Sequence, residues 1–343
     1  MLKGGKTKLI LQGAFLLFLI VGTIWVIHQH RQMSYHTNRG FIFGTEYRIT
    51  YEYDKDLQME IESELNKVDL SLSPFNKQSI ITKVNNNEDV AVDNMFKEVF
   101  LLAMKVSKET DGAFDITVAP LVNVWGFGFK NDQSPTEQVI DSLCELIGYQ
   151  KVKLTSSGYV AKDDSRIMLD CSAIAKGYGC DVVSRFLNRL DINNYMVEIG
   201  GEVVTRGKSE KKQPWRIGVA KPTDDSLQVN NELQTILNVT NYAMATSGNY
   251  RNFYYKGGKK YAHTIDPRTG YPVQHSLLSA TVLARDCATA DAYATSFMVM
   301  GMDKAKEVLG KRPDLMAYFI YAGLNGEYLV WYSDALRDKI IDQ

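Results

Sequence analysis

The chain has 343 residues, 45% of them hydrophobic, which is enough to bury the core of one large domain. Its 39 lysine and arginine residues are balanced by 40 aspartate and glutamate residues. This balance excludes the basic composition of a nucleic-acid-binding protein and the acidic composition of a disordered tail.

The N-terminal segment has the pattern of a membrane anchor. Three lysines precede an almost uninterrupted apolar run over residues 9–27, which is close to the roughly 20 residues that a membrane span needs. Lysines before the run favour an N-terminus in the cytoplasm and the remainder of the chain outside it. Because no clear small-x-small cleavage site follows, we predict a retained anchor at residues 1–31, with a cleaved signal peptide as the alternative. A linker is expected at residues 32–39, followed by one domain over residues 40–343.

Segments with helical and strand periodicity alternate along the rest of the chain. Residues 45–53, 195–204 and 279–283 have strand patterns, and residues 56–70 and 95–110 have apolar side chains at helical spacing. Residues 288–300, which are rich in small and apolar side chains, are also predicted to form a helix. This interleaving predicts an α/β or α+β fold with mixed sheets. Neither a GxGxxG sequence after the first strand nor a GxxxxGK[ST] sequence is present, so nothing favours a Rossmann or P-loop nucleotide site.

One stretch changes from strand to helix. The apolar residues 167–169 predict a buried strand, and the apolar spacing from Ile174 predicts a helix. Asp170 and Ser172 are both suitable N-cap residues for that helix. A helix N-terminus with Lys176 one turn inside it suits phosphate binding. An ordinary strand-to-helix junction, with Gly177 serving close packing, explains the pattern equally well.

Three polar sites stand out elsewhere. Asp115 lies in an apolar segment, where a carboxylate costs free energy unless it has a partner; it could also cap a strand end. Asp291 and Thr295 are four residues apart on one helix face and could both reach a hard cation, although such pairs often form a solvated face. His263 lies in a turn-rich segment, where it is either a reactive group or a loop histidine with satisfied hydrogen bonds.

Nine segments together resemble those of the ApbE-type FAD:protein FMN transferases and follow the same order as in that family. They span roughly residues 40–330, and they comprise residues 43–45, 73–75, 111–117, 120–128, 170–181, 199–202, 245–252, 263–270 and 290–295. The resemblance implies a single ApbE-like catalytic domain on the periplasmic side of a bacterial inner membrane.

The resemblance also implies a reaction. FAD would be cleaved at its diphosphate with the help of Mg²⁺, FMN would pass to a Thr or Ser hydroxyl of an exported electron-transfer protein, and AMP would leave. The acceptor would carry a D-x-x-[ST]-G-A-[ST] motif, which is absent from this sequence. The alternatives are an FAD pyrophosphatase, which uses water as the acceptor, and a flavin-binding module without catalytic activity.

Residue roles follow from the matching positions. The implied FAD contacts include Asp115, for which the flavin would be the missing partner; the full set is Phe43, Phe75, Ala113, Phe114, Asp115, Asp170, Lys176 and Ile265. Phe43 stands where the family often has Met. The implied Mg²⁺ ligands are the carbonyl of Ala173 and the side chains of Asp291 and Thr295, and some members have Asp in place of Ala294. His263 matches the residue expected to take the proton from the acceptor, and Asp291 is the second implied catalytic residue.

Overall fold

The structure, a computed structural model, describes residues 4–30, 33–127, 135–222, 232–249, 253–256 and 259–341. The ends of two family-like segments, at residues 128 and 250–252, lie outside the described residues. The same holds for residues 1–3 and 31 of the predicted anchor.

Helices and strands alternate as the sequence patterns indicate. The helices are α1 Gly4–His30, α2 Gln58–Leu72, α3 Ile80–Asn85, α4 Asn94–Glu109, α5 Ala119–Val124, α6 Glu137–Cys144, α7 Ser172–Arg189, α8 Cys287–Met300 and α9 Met302–Lys311. The strands are β1 Ser34–Ile42, β2 Thr45–Tyr53, β3 Val152–Leu154, β4 Val160–Lys162, β5 Tyr195–Ile199, β6 Glu202–Arg206, β7 Arg216–Ala220, β8 Leu233–Asn238, β9 Ala243–Gly248, β10 Phe253–Lys256, β11 Lys259–Ala262, β12 Leu277–Ala284, β13 Met316–Ala322, β14 Tyr328–Tyr332 and β15 Ile340–Ile341.

The main sheet, within the described part of the chain, has eight strands in the order β1-β2-β5-β6-β9-β12-β13-β14. Its neighbouring strands pair antiparallel throughout. The predicted combination of helices and sheets in one domain is confirmed. Mixed sheets were predicted, whereas the strand pairs of this sheet are all antiparallel. Short hairpins such as β5–β6, which turns at Gly200 and Gly201, make antiparallel neighbours the simplest connection.

Alternating side chains give the main sheet two covered faces. Ala317 and Phe319 of β13 pack with α4, α7 and α8 in the largest core cluster. Tyr318 and Ile320, on the opposite face of the same strand, pack with the small sheet that contains β7 and β8. Helix α8 is buried along nearly its whole length, because it is apolar almost all round.

The predicted linker is wrong over residues 34–39, which belong to the edge strand β1. This strand pairs with β2 along its whole length, from Ser34 opposite Tyr53 to Ile42 opposite Thr45. Only Asn38 of β1 is buried. Its side-chain amide donates a hydrogen bond to Asp56 and accepts one from the Tyr51 hydroxyl. Backbone pairing rather than apolar burial therefore holds the strand, and for that reason hydrophobic periodicity did not reveal it.

The predicted strand at residues 167–169 is also wrong. The segment is buried, but it lies outside the strands. The Asn85 side chain accepts the N–H of Leu169 at 2.7 Å and donates to the carbonyl of Leu169 at 2.9 Å. One amide thus satisfies the two backbone groups that a neighbouring strand would otherwise pair.

We find no helix in the described ranges whose length and apolar character together suffice to cross a membrane.

Candidate active site

The residues implied by the resemblance converge on one cavity of about 490 Å³. Its size is that of a typical pocket for an organic ligand. It lies where the first turns of α7 meet α8 and the loops after β1, α2, α4 and β11. The implied residues that line it are Phe43, Phe75, Ala113, Phe114, Asp115, Asp170, Ala173, Lys176, His263, Ile265, Asp291 and Thr295.

Two phenylalanines that the resemblance assigns to FAD, Phe43 and Phe75, line the cavity in different ways. Phe75 is 68% exposed, so its ring is available to a flat ligand. Phe43 begins the two-residue turn between β1 and β2 with a φ of 52°, a strained conformation for a bulky residue. Its ring lies against Gly179, where a Cβ atom would come within 2.7 Å of it. Strain held by packing in this way is frequent at ligand sites.

Asp115 is satisfied by its own chain, which corrects the expectation that a flavin would be its missing partner. Its carboxylate accepts the N–H and hydroxyl of Thr117 at 2.8 and 2.7 Å and the N–H of Tyr149 at 2.7 Å. Burial raises the pKa of Asp115, and these hydrogen bonds counteract the rise. Asp115 therefore fixes the loop between α4 and α5, while it also lines the cavity.

The start of α7 differs from the predicted capped helix. Neither Asp170 nor Ser172 is its N-cap; that position is occupied by Cys171, which makes no side-chain capping bond. The Asp170 carboxylate accepts the N–H of Ser172 at 2.7 Å, and the Asp170 N–H donates to Ile116 at 2.7 Å. Asp170 thus joins the first turn of α7 to the Asp115 loop at the cavity wall.

Helices α7 and α8 pack closely because Gly177 has no side chain. A Cβ atom there would lie 2.4 Å from the carbonyl oxygen of Cys287. Asp181 of α7 accepts the N–H groups of Cys287 and Ala288 at 2.8 and 2.9 Å, which satisfies two free donors at the start of α8. The two helices are therefore locked together one turn before Asp291.

Asp291 is a deeply buried carboxylate at the cavity. It is 3% exposed, and its Oδ2 accepts the N–H of Gly177 at 3.1 Å. In a regular helix that N–H would donate to the carbonyl of Ala173, four residues earlier. Burial raises the pKa of Asp291, while the Lys176 ammonium and the Gly177 N–H oppose the rise.

The implied metal ligands offer oxygen atoms of the types that Mg²⁺ prefers. Thr295 lines the cavity one turn after Asp291, and its hydroxyl lies 3.0 Å from that of Ser247. In the described ranges, no group of three or more His, Cys, Asp or Glu side chains is arranged to hold a metal ion. Ala294 is fully buried in the core, so the set consists of one carboxylate, one hydroxyl and the Ala173 carbonyl. Their chemistry fits a cation that keeps part of its water shell.

Lys176 has a partner that the sequence reading did not assign. Its ammonium lies 2.6 Å from Oε1 of Glu202, which is 3% exposed and also lines the cavity. Burial raises the pKa of Glu202; the Lys176 ammonium lowers it, and Asp291 raises it. Glu202 falls within a family-like segment, but no sequence pattern suggested a role for its side chain.

The loop that carries His263 is fixed to α5. The indole nitrogen of Trp125 donates to the carbonyl of Gly270 at 2.8 Å, which joins the two segments. The His263 ring meets the ring of Phe127 edge to face, with centroids 6.4 Å apart. Thr264 donates to Asn249 at 2.6 Å. His263 is therefore placed at the cavity by aromatic packing and by its neighbours in the loop.

Known proteins are similar to this chain in sequence and in fold. The ApbE family model matches residues 43–319. An FAD:protein FMN transferase from Haemophilus influenzae is 37% identical over 303 residues, which cover 84% of this chain and 86% of the relative. The solved flavin transferase ApbE from Vibrio cholerae has a TM-score of 0.80 and 33% identity, covering 89% of this chain and 99% of that one. The apo flavinyl transferase ApbE from Pseudomonas stutzeri has a TM-score of 0.79 and 28% identity, covering 90% and 97%.

The matched region includes every residue that the resemblance assigned to the cavity. Both the similarity in sequence and the similarity in fold extend over most of the chain. The chain belongs to the ApbE family.

Proposed function

We propose that this chain is an FAD:protein FMN transferase that passes FMN to a Thr or Ser hydroxyl and releases AMP. The anhydride bond of FAD would break between the FMN phosphate and AMP, and a phosphoester bond would form to the acceptor oxygen. The observation that carries the proposal is the convergence of the implied flavin, metal and proton-transfer residues on one cavity. The relatives that bear this activity in their names support it.

The aromatic and charged walls of the cavity suit the isoalloxazine ring and the diphosphate of FAD. The exposed ring of Phe75 offers a flat apolar surface for the isoalloxazine ring, and the buried side chains of Phe114 and Ile265 add apolar lining. Lys176, whose side chain is 31% exposed, offers a positive charge for the diphosphate. A flavin held in this way would present its phosphate to the first turn of α7.

The metal proposal uses the oxygen atoms beside Gly177. The Ala173 carbonyl, the Asp291 carboxylate and the Thr295 hydroxyl would hold Mg²⁺. When bound, the ion would neutralise charge on the diphosphate during phosphoryl transfer. The burial of Asp291 supports this role, because a buried carboxylate gains most from a nearby cation.

His263 would act as the general base. Phosphoryl transfer depends on positioning and on charge stabilisation, and proton removal from the attacking hydroxyl assists it. The His263 side chain lines the same cavity as Asp291 and packs against Phe127. An imidazole placed there can accept the acceptor's proton and would be shielded on one side by the aromatic ring.

The test is to incubate the purified chain with FAD, Mg²⁺ and an acceptor peptide containing a D-x-x-[ST]-G-A-[ST] motif. We expect AMP release together with a peptide mass increased by FMN. A matched peptide with Val in place of the acceptor Thr should give neither product. AMP release without any acceptor would instead support a pyrophosphatase, and tight FAD binding without AMP would support a binding module.

We also propose that the chain is anchored in a bacterial inner membrane and that its catalytic domain faces the periplasm. The apolar run of the N-terminal segment and the lysines before it support this location. Helix α1 exposes large apolar side chains, among them Leu11, Phe15 and Phe18. An exported acceptor protein would then meet the enzyme on the same side of the membrane.

A further inference from the structure

The Glu202 carboxylate is buried beside the cavity without a full set of partners. It follows the tight turn at Gly200 and Gly201, at the first position of β6. Its Oε1 lies 2.6 Å from the Lys176 ammonium. Its buried Oε2 makes no hydrogen bond within the described ranges. A buried carboxylate oxygen without a partner is unfavourable, so a structural role alone would not explain this placement.

Lys176 lines the same cavity as two buried carboxylates: it pairs with Glu202, and the N–H of its neighbour Gly177 donates to Asp291. The Glu202 and Asp291 charges both raise the pKa of Lys176, although burial lowers it. The ion pair that forms is the one with Glu202. A lysine has a long flexible stem and three donors. Without Glu202, we expect its ammonium to turn toward Asp291, the other buried carboxylate of the cavity, which contacts the backbone of the next residue.

We propose that Glu202 is a positioning residue that holds the Lys176 ammonium away from Asp291 and so leaves the Asp291 carboxylate available to a divalent cation. This inference rests on the proposed function, because Asp291 is the implied metal ligand. The Lys176 ammonium and the metal ion would otherwise compete for the Asp291 carboxylate. Because Glu202 binds the ammonium, Asp291 can bind the metal ion. The pair also keeps the ammonium at the cavity wall, where the diphosphate of FAD would meet it.

The test measures Mn²⁺ binding to the full chain by electron paramagnetic resonance, without FAD and without turnover. In Glu202→Gln the side-chain shape remains but the charge is lost. We expect its Mn²⁺ affinity to fall by about tenfold or more, because the freed ammonium would pair with the Asp291 carboxylate. An opposite charge within a few ångströms shifts the ionic equilibria of a carboxylate by about one to three powers of ten. Glu198→Gln is the matched control, since it removes a carboxylate of the neighbouring strand that pairs with Arg48 at the surface.

The decisive variant is the double substitution Glu202→Gln with Lys176→Met. If the freed ammonium is what blocks Asp291, removing it should restore Mn²⁺ affinity to at least the wild-type value. Lys176→Met alone should bind Mn²⁺ as tightly as the wild type or more tightly. A double variant that binds Mn²⁺ as weakly as Glu202→Gln would overturn the proposal, as would unchanged binding in Glu202→Gln.

Thermal unfolding of each variant separates this mechanism from misfolding. A structural role predicts that the double variant is the least stable and the weakest binder, whereas competition predicts restored binding despite any loss of stability. Failure of the proposed transferase function would be seen separately, as wild-type protein that binds Mn²⁺ but transfers no FMN. The Mn²⁺ pattern would then still stand.

Discussion

At the scale of single residues, Asp291 is the side chain on which the proposed metal site depends most. Its carboxylate is buried, and it is the one charged group among the proposed ligands. We expect Asp291→Asn to lower metal-dependent FMN transfer by at least about 10²-fold, comparable to the loss of one strong electrostatic contact in other active sites. The Asn oxygen can still accept the Gly177 N–H, so the fold should persist. Activity assays and circular dichroism would check both expectations.

The control for this substitution is Asp303→Asn, which changes an exposed carboxylate in the first turn of α9. It should leave transfer unchanged. Full activity in Asp291→Asn would remove this residue from the metal site. Asp291→Ala should also abolish turnover, but it leaves the Gly177 N–H without its acceptor.

The prediction for His263 is different, because its proposed role is to take the proton from the acceptor and not to bind FAD. We expect His263→Ala to bind FAD with little change and to transfer FMN roughly 10²–10⁴-fold more slowly, the usual contribution of a general base. Flavin fluorescence gives the binding constant, and single-turnover mass spectrometry gives the rate of transfer. An unchanged transfer rate would exclude His263 from the proton transfer.

At the scale of elements, the contact between α7 and α8 positions the site. The absence of a side chain at Gly177 allows the Asp291 carboxylate to reach the backbone of α7. The capping of α8 by Asp181 adds a second connection between the same helices. A displacement of either helix would therefore separate the implied metal ligands, since Ala173 lies on α7 and Thr295 on α8.

Gly177→Ala tests this contact. Its Cβ would overlap the backbone of Cys287, so we expect a loss of about 1–3 kcal/mol in the free energy of unfolding, typical of overpacking. Gly310→Ala in α9 is the matched control, because no atom lies within 4 Å of its Cβ position. It should be neutral or gain up to about 1 kcal/mol from helix propensity. Urea denaturation would measure both, and equal stability of the two variants would contradict the close-packing account.

At the scale of the whole molecule, we propose separate tasks for the N-terminal helix, as an anchor, and for the domain that begins at β1, as the catalytic part. The first strand of the main sheet begins at Ser34, and none of the described residues before it belongs to that sheet. We expect a chain that starts at Met33 to keep its melting temperature and its FMN transfer, because β1 remains whole. It should appear in the soluble fraction after cell lysis, whereas the full chain should sediment with membranes.

This prediction is checked by ultracentrifugation and by thermal unfolding of both forms. A full chain that remains in the soluble fraction would contradict the proposed anchor. A shortened chain that unfolds would show instead that the N-terminal helix supports the domain.

The sequence by itself determined much of this protein. Apolar spacing located α4 and α7, since their apolar faces are buried and a helix repeats every 3.6 residues. Small and apolar composition indicated α8, which is buried along nearly its whole length. Family-like segments indicated the residues of the cavity, because a binding site requires particular side chains in a particular order.

Only the tertiary structure decided the remainder. It showed that the Asn85 side chain pairs with the backbone of Leu169 in place of a neighbouring strand. It also showed that Thr117 and the backbone of Tyr149 satisfy Asp115. It also placed the Glu202 carboxylate against the Lys176 ammonium, although the two residues are 26 positions apart in the sequence. The contacts of Asn85 with Leu169, of Asp115 with Tyr149 and of Glu202 with Lys176 join residues that are 84, 34 and 26 positions apart. No local pattern encodes them, because their geometry depends on how strands and helices pack.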